Sequence, residues 1–218
     1  MFLSTNLFGL PIAVWLAIVA ILVGLTFAIL NRRLNTREVS VIAVLASACI
    51  VSNYALIWLP NVKVMDLIVF VSGLRFGAYV GGLVGVLVWA IYGSINPYGF
   101  ILPIWMGCMA SESVFGIVGG VIGNHLSAAH RNRREFSLEM GATGFLLSFF
   151  YDLVTNVLSA VTVSWFETSP QRILAVLVSG IPFAVIHEFS NAVLFFLGVV
   201  PLDTSIRKLI GDRSKFAT

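Results

Sequence analysis

DLIVFVSGLRFGAYVGGLVG, running from Asp66 to Gly85, carries a single basic residue, Arg75, and places a glycine at every fourth position: Gly73, Gly77, Gly81 and Gly85. Residues four apart share one face of a helix. The four glycines therefore form a smooth ridge that lets a second helix approach almost backbone to backbone. Glycine costs about 1 kcal/mol relative to alanine inside a water-exposed helix, so a soluble helix tolerates this ladder poorly. In lipid, small residues at this spacing are a packing device. Asp66 precedes the ladder and Glu112 follows it, two acids in otherwise apolar sequence. Close packing beside buried polar groups points to a bundle built around a polar site.

The whole chain agrees with that reading. Of 218 residues, 59% are hydrophobic and 11% charged, with a mean hydropathy of +0.99. Soluble domains carry about 25% charged residues, so an integral membrane protein is expected, and no polar stretch is long enough for a separate soluble domain. The net charge of +3 does not signify nucleic-acid binding, because the basic residues sit at the ends of apolar segments. Cys49 and Cys108 lie in apolar sequence without partner or zinc-like spacing, and read as small buried residues.

A hydrocarbon core of about 30 Å needs about 20 apolar residues per helix. The expected spans are Leu10–Leu30, Val39–Leu59, Val64–Leu74, Phe76–Ile95, Ile101–Ile122, Met140–Trp165 and Ile173–Val200. The third is short. It either sits partly buried with little tilt or merges with the fourth through a bend at Gly73–Gly77. If the spans alternate, Arg32, Arg33, Arg37, Arg75, Arg131, Arg133, Arg134, Arg207, Lys208, Arg213 and Lys215 fall on one side, and only Lys63 and Arg172 on the other. The positive-inside rule makes the richer side cytoplasmic. The N-terminus is then outside and the C-terminus inside a multi-pass cell-membrane protein. The first span lacks a basic n-region and a small-residue cleavage site, so it reads as an accessory transmembrane helix rather than a removed signal. The expected organisation is an accessory helix and basic loop over 1–38, a six-helix membrane domain over 39–200, and a basic cytoplasmic tail over 201–218.

Charged side chains inside spans are costly and face a cavity or a partner. Here they are Asp66, Glu112, Asp152, His187 and Glu188, accompanied by Asn53, Asn61, Asn96, Tyr98, Tyr151, Thr155, Asn156 and Asn191. Asp152 and Asn156 are four apart, as are His187 and Asn191, so each pair shares a helix face; Glu188 and Asn191, three apart, overlap it. On the expected topology these groups lie at mid-depth or above, outlining a pocket that opens outward. The fifth, sixth and seventh spans wall it and outer loops cover it. Each residue also has a plainer reading as interhelical glue. Arg75 reads as an anchor on the cytoplasmic side rather than a partner for Asp66. The acids outnumber the cations near them, so either some are protonated or a cationic or donor-rich ligand compensates them. Trp58, Trp105 and Trp165 offer stacking surfaces or an interfacial belt.

No HExxH, GxSxG, P-loop or Cys/His metal spacing occurs, so the chain has no means of hydrolysing ATP itself. Asp152 and Glu188 could form an aspartyl-type pair for intramembrane proteolysis, but no GxGD-type motif surrounds either. No inverted repeat is evident, in contrast to common secondary transporters.

Three stretches together look familiar: Asp66 to Gly85, Asn96-Pro-Tyr-Gly-Phe100, and Glu112-Ser-Val-Phe-Gly-Ile-Val-Gly-Gly120, with Tyr151-Asp-Leu-Val-Thr-Asn156 further on. Over about Val39–Val200 the chain resembles the substrate-binding S components of energy-coupling factor (ECF) vitamin transporters. The resemblance implies an all-α, six-helix bundle here extended by an N-terminal transmembrane helix. It also implies an outward pocket for a vitamin or related micronutrient, and partners in a transmembrane coupling subunit and two ATPases. The family docks through an Ala-x-x-x-Ala motif on its first core helix. Ala43-x-x-x-Ser47, with Ala46 and Ala48 beside it, is the nearest match and departs from the strict pair. The acidic bias then suggests thiamine-like or deazapurine-like compounds. No bound cofactor is implied.

Overall fold

In the computed structural model, the described residues are 6–7, 10–11, 34–97, 99, 101–125, 133–163 and 169–210. Apart from a two-residue antiparallel pairing of Asn6–Leu7 with Leu10–Pro11, the elements among them are helices. These are α1 (Thr36–Ala55), α2 (Val64–Phe76), α3 (Ala78–Ile95), α4 (Leu102–His125), α5 (Arg133–Val163) and α6 (Pro170–Ile210). All but α2 are long and apolar enough to cross a membrane. Six of the seven expected spans thus coincide with helices. The expected first span lies outside the described residues beyond its opening Leu10–Pro11, as do Arg32, Arg33, Tyr98, Arg131, Trp165, Arg213, Lys215 and the side chain of Arg172.

α1 starts where Asn35 supplies a capping box. Its Oδ1 accepts from the Glu38 N–H at 2.8 Å, while Glu38 Oε2 accepts from the Asn35 N–H at 3.0 Å. That arrangement satisfies two orphan donors of the first turn. α2 has 13 residues, about 20 Å of helix, too little to cross the hydrocarbon core alone. From Met65 to Phe76 every residue except Ile68 is buried. The short span therefore does not sit partly buried, as one expectation had it; it is sheathed in protein. It also does not merge with α3. The chain breaks at Gly77, whose φ of 99° and ψ of 161° suit glycine and strain any residue bearing a Cβ.

The glycine ladder has a counterpart on α4. A Cβ at Gly73 would overlap the Gly116 carbonyl, one at Gly116 the Gly81 carbonyl, and one at Gly120 the Ala78 backbone. Gly119 comes up against the Phe70 carbonyl in the same way. α2, α3 and α4 thus meet backbone to backbone, with α1 packed against α2 and α3. α5 and α6 form a second pair, joined to the first where Phe195 stacks on Phe70 (5.0 Å between ring centroids) and on Phe115. Outward, α6 exposes Leu174, Val178, Ile181, Val185, Phe189, Val193 and Leu197, a continuous apolar stripe at helical spacing. A stripe of this length is a liability in water and an ordinary lipid-facing surface in a bilayer.

α6 is longer than expected. The helix continues past Val200 to Ile210 despite Pro182 and Pro201 within it, so the first ten residues of the expected tail belong to the bundle. They carry Asp203, which accepts a hydrogen bond from Arg75 Nε at 2.9 Å and forms an ion pair with the same guanidinium. Arg75 accordingly anchors the basic end of the molecule and makes no pair with Asp66. Because Arg75 is almost wholly buried, Arg75→Ala is expected to lower the unfolding free energy by about 1–3 kcal/mol. Denaturant titration of the purified protein in detergent reads this directly, and an unchanged midpoint would show the pair to be energetically idle.

Candidate functional site

At the end of the bundle away from Arg75 lies a cavity of about 500 Å³. Its wall is wider than the three helices expected. The end of α1 and the connection to α2 contribute Asn53, Leu56, Ile57 and the run from Leu59 to Lys63, and the last turns of α3 contribute Trp89, Tyr92 and Gly93. Trp105 and Cys108 come from the start of α4, Tyr151, Asp152, Thr155, Asn156 and Ser159 from α5, and Gly180 and Phe183 from α6.

Local chemistry explains how these groups are held. Gly93 has no side chain, and a Cβ there would strike the Trp105 indole. That gap lets Trp105 lie across α3 and donate its Nε1–H to the Trp89 carbonyl at 2.8 Å. Trp89 packs edge-on against Tyr92 (5.5 Å), which meets Tyr54 likewise (5.4 Å). Asn61 takes a positive φ of 59°, a conformation that asparagine tolerates better than most residues. Its Nδ2 donates to the Phe183 carbonyl at 2.9 Å, tying the α1–α2 connection to α6. Lys63 is the last residue before α2 and carries its ammonium over the Tyr151 ring (4.2 Å) and the Trp89 ring (5.6 Å).

Below the cavity lies a buried polar network. His187, fully buried, contacts Asp66 Oδ2 through Nε2 at 2.6 Å and Asp152 Oδ2 through Nδ1 at 2.9 Å. A proton on each ring nitrogen lets it donate to both carboxylates at once. Asn191 Nδ2 donates to Asp66 Oδ2 and to Ser148 Oγ, each at 2.6 Å. Glu112 receives the Trp89 Nε1–H at 3.3 Å and lies beside Asp66. Asp66 Oδ1 and Glu112 Oε1 have no hydrogen-bond partner among the described residues. The network joins α2, α4, α5 and α6.

The expected site residues therefore divide. Asn61, Asn96, Tyr151, Asp152, Thr155 and Asn156 line the cavity. Asp66, Glu112, His187 and Asn191 lie beneath it, each with no accessible surface, and hydrogen-bond from one helix to another. Asp152 belongs to both groups. Glu188 is half-buried and lines no part of the cavity, while Tyr98 lies outside the described residues. Trp105 is a wall residue, whereas Trp58 is 71% exposed and suits an interfacial position. The expectation missed Lys63, Trp89 and Tyr92 as wall residues. Trp89 had a signal: it continues the four-residue register of the ladder, between Gly85 and Gly93. Lys63 had one too, as one of two basic residues on the side poor in them.

Compared with known proteins, the chain matches no family model, no curated protein and no solved structure.

Proposed function

We propose that the chain is the membrane-embedded substrate-binding subunit of an ECF-type importer, capturing a vitamin or related small micronutrient from outside. The observation that carries this reading is the cavity. It is about 500 Å³, inside the ordinary range of small-molecule sites (roughly 300–1,000 Å³). It lies at the end opposite Arg37, Arg75, Arg133, Arg134, Arg207 and Lys208, which supports an outward mouth under the positive-inside rule. On this reading the N-terminus is outside, the C-terminus cytoplasmic, and partner ATPases supply the energy through a coupling subunit. Ala43 and Ser47 support the docking assignment, since both are exposed on α1 and take no part in packing the bundle. Ser47 Oγ–H bonds back to the Ala43 carbonyl at 2.8 Å, leaving a smooth face.

A protease-like pairing of Asp152 with Glu188 gains nothing from this geometry, because the two do not share a cavity. The buried network supports a structural role for Asp66, His187 and Asn191 alongside binding, and the roles separate by substitution. The test is a thermal-shift screen of purified protein against vitamins and their precursors. A ligand present at 100 times its Kd is expected to stabilise by about 2.7 kcal/mol. Asn156→Leu, in the wall, is expected to weaken that ligand about fivefold, and Glu188→Gln to leave it unchanged. Wild-type affinity in the Asn156 variant, or loss in the Glu188 variant, would put the ligand somewhere other than this cavity.

A further inference from the structure

The geometry points to the class of substrate: a flat ring carrying an anionic oxygen, carboxylate or phosphate, that docks on Lys63 at the cavity wall. The inference rests on the reading of the chain as a substrate-binding subunit and narrows it.

Acids dominate the sequence here, but one oxygen of each of the three central acids already has a partner in the structure. Asp66 accepts from His187 and Asn191, Glu112 from Trp89, and Asp152 lies against His187 through Oδ2. Lys63 is in the opposite condition. An ammonium has three N–H donors, yet among the described residues none of them meets an oxygen acceptor. Its neighbours at close range are the faces of Tyr151 and Trp89. Ring faces hold a cation without using its directional hydrogen bonds, so those bonds remain available to a ligand oxygen. A ligand that brought only a cation would meet Lys63 as a like charge in a partly desolvated cleft, where repulsion is weakly screened.

The remainder of the wall sets the shape. Trp89, Tyr92, Trp105, Tyr151 and Phe183 surround the cavity with ring surface, and stacked aromatic faces favour a planar partner. Asn53, Asn96, Thr155 and Asn156 supply amide and hydroxyl groups around the same space, suited to the polar edge of a heteroaromatic ring. The acidic composition favours a cationic or donor-rich ligand; the partners that His187, Asn191 and Trp89 provide for those acids shift the weight toward Lys63.

The test uses the full-length protein in nanodiscs and three matched probe pairs: nicotinate with nicotinamide, thiamine monophosphate with thiamine, and riboflavin 5′-phosphate with riboflavin. Titration calorimetry and thermal midpoints are measured for each. An anionic probe is expected to bind more tightly than its uncharged or less anionic counterpart. Lys63→Gln is expected to weaken it roughly ten- to a hundredfold, and Lys63→Arg to retain most of the affinity. The ligand-free midpoint of Lys63→Arg should stay at wild type, and that of Lys63→Gln should fall only slightly, since it gives up ring contacts but no hydrogen bond. Tighter binding of the counterpart, or unchanged affinity in Lys63→Gln, overturns the anionic class and leaves the binding-subunit reading in place. Binding of no probe at all counts against both.

Discussion

Replacing His187 with leucine is expected to lower the unfolding free energy by about 3–5 kcal/mol, the range for removing one partner of a buried ionic arrangement. The imidazole is fully buried and reaches Asp66 with one nitrogen and Asp152 with the other, so one substitution strips a donor from two carboxylates. Leucine fills the volume but offers no hydrogen. Asp66, with no accessible surface, retains only the Asn191 amide among the donors described here. The companion experiment separates charge from shape. Adding Asp66→Asn and Asp152→Asn to the His187 variant removes both stranded carboxylates, and is expected to recover a substantial part of the loss. Unfolding in mixed micelles gives both values. A His187→Leu protein as stable as wild type would mean the two acids find other partners, and the network would no longer explain how α5 and α6 are held to α2.

Gly116→Val is expected to be comparably severe for a different reason. A Cβ on residue 116 would overlap the main chain of Gly81, and the ladder leaves no flexible side chain to move aside. Overpacking a core costs typically about 1–3 kcal/mol when side chains can yield; here three helices would have to separate, so a loss at or beyond the upper end is expected. Gly82→Ala is the internal control. Its Cβ would meet the Ile117 side chain at 3.2 Å, which can shift, and a change within about 1 kcal/mol is expected. Thermal midpoints and the monodisperse fraction after extraction distinguish the two. Similar behaviour of both variants would remove the backbone contact as the cause.

The helices were legible because apolar length and short loops leave few arrangements for a chain this hydrophobic. The ladder at Gly73–Gly85 also pointed correctly to close packing. Burial of α2 was not legible, since a helix sheathed in protein and one facing lipid are both apolar, and only length separates them. The division of the site had a similar cause. His187 and Glu188 are adjacent, about 100° apart around a helix, and periodicity alone could not say which of them faced inward. Asp203 looked like part of a polar tail because α6 was expected to end where the bilayer does. Lys63 was visible as a residue but not as a wall group, because its direction is set by where α2 begins.

The shortness of α2 bears on how the protein enters the membrane. About 20 Å of helix leaves roughly a third of the hydrocarbon thickness uncovered, so α2 has little tendency to partition into lipid as an independent segment. Asp66 and Arg75 find partners on α6, more than a hundred residues further along the chain. The polar groups of the second helix of the described bundle therefore lack these partners until α6 is in place. α2 is thus a segment whose place in the membrane depends on α6, which closes the bundle around it like a last stave.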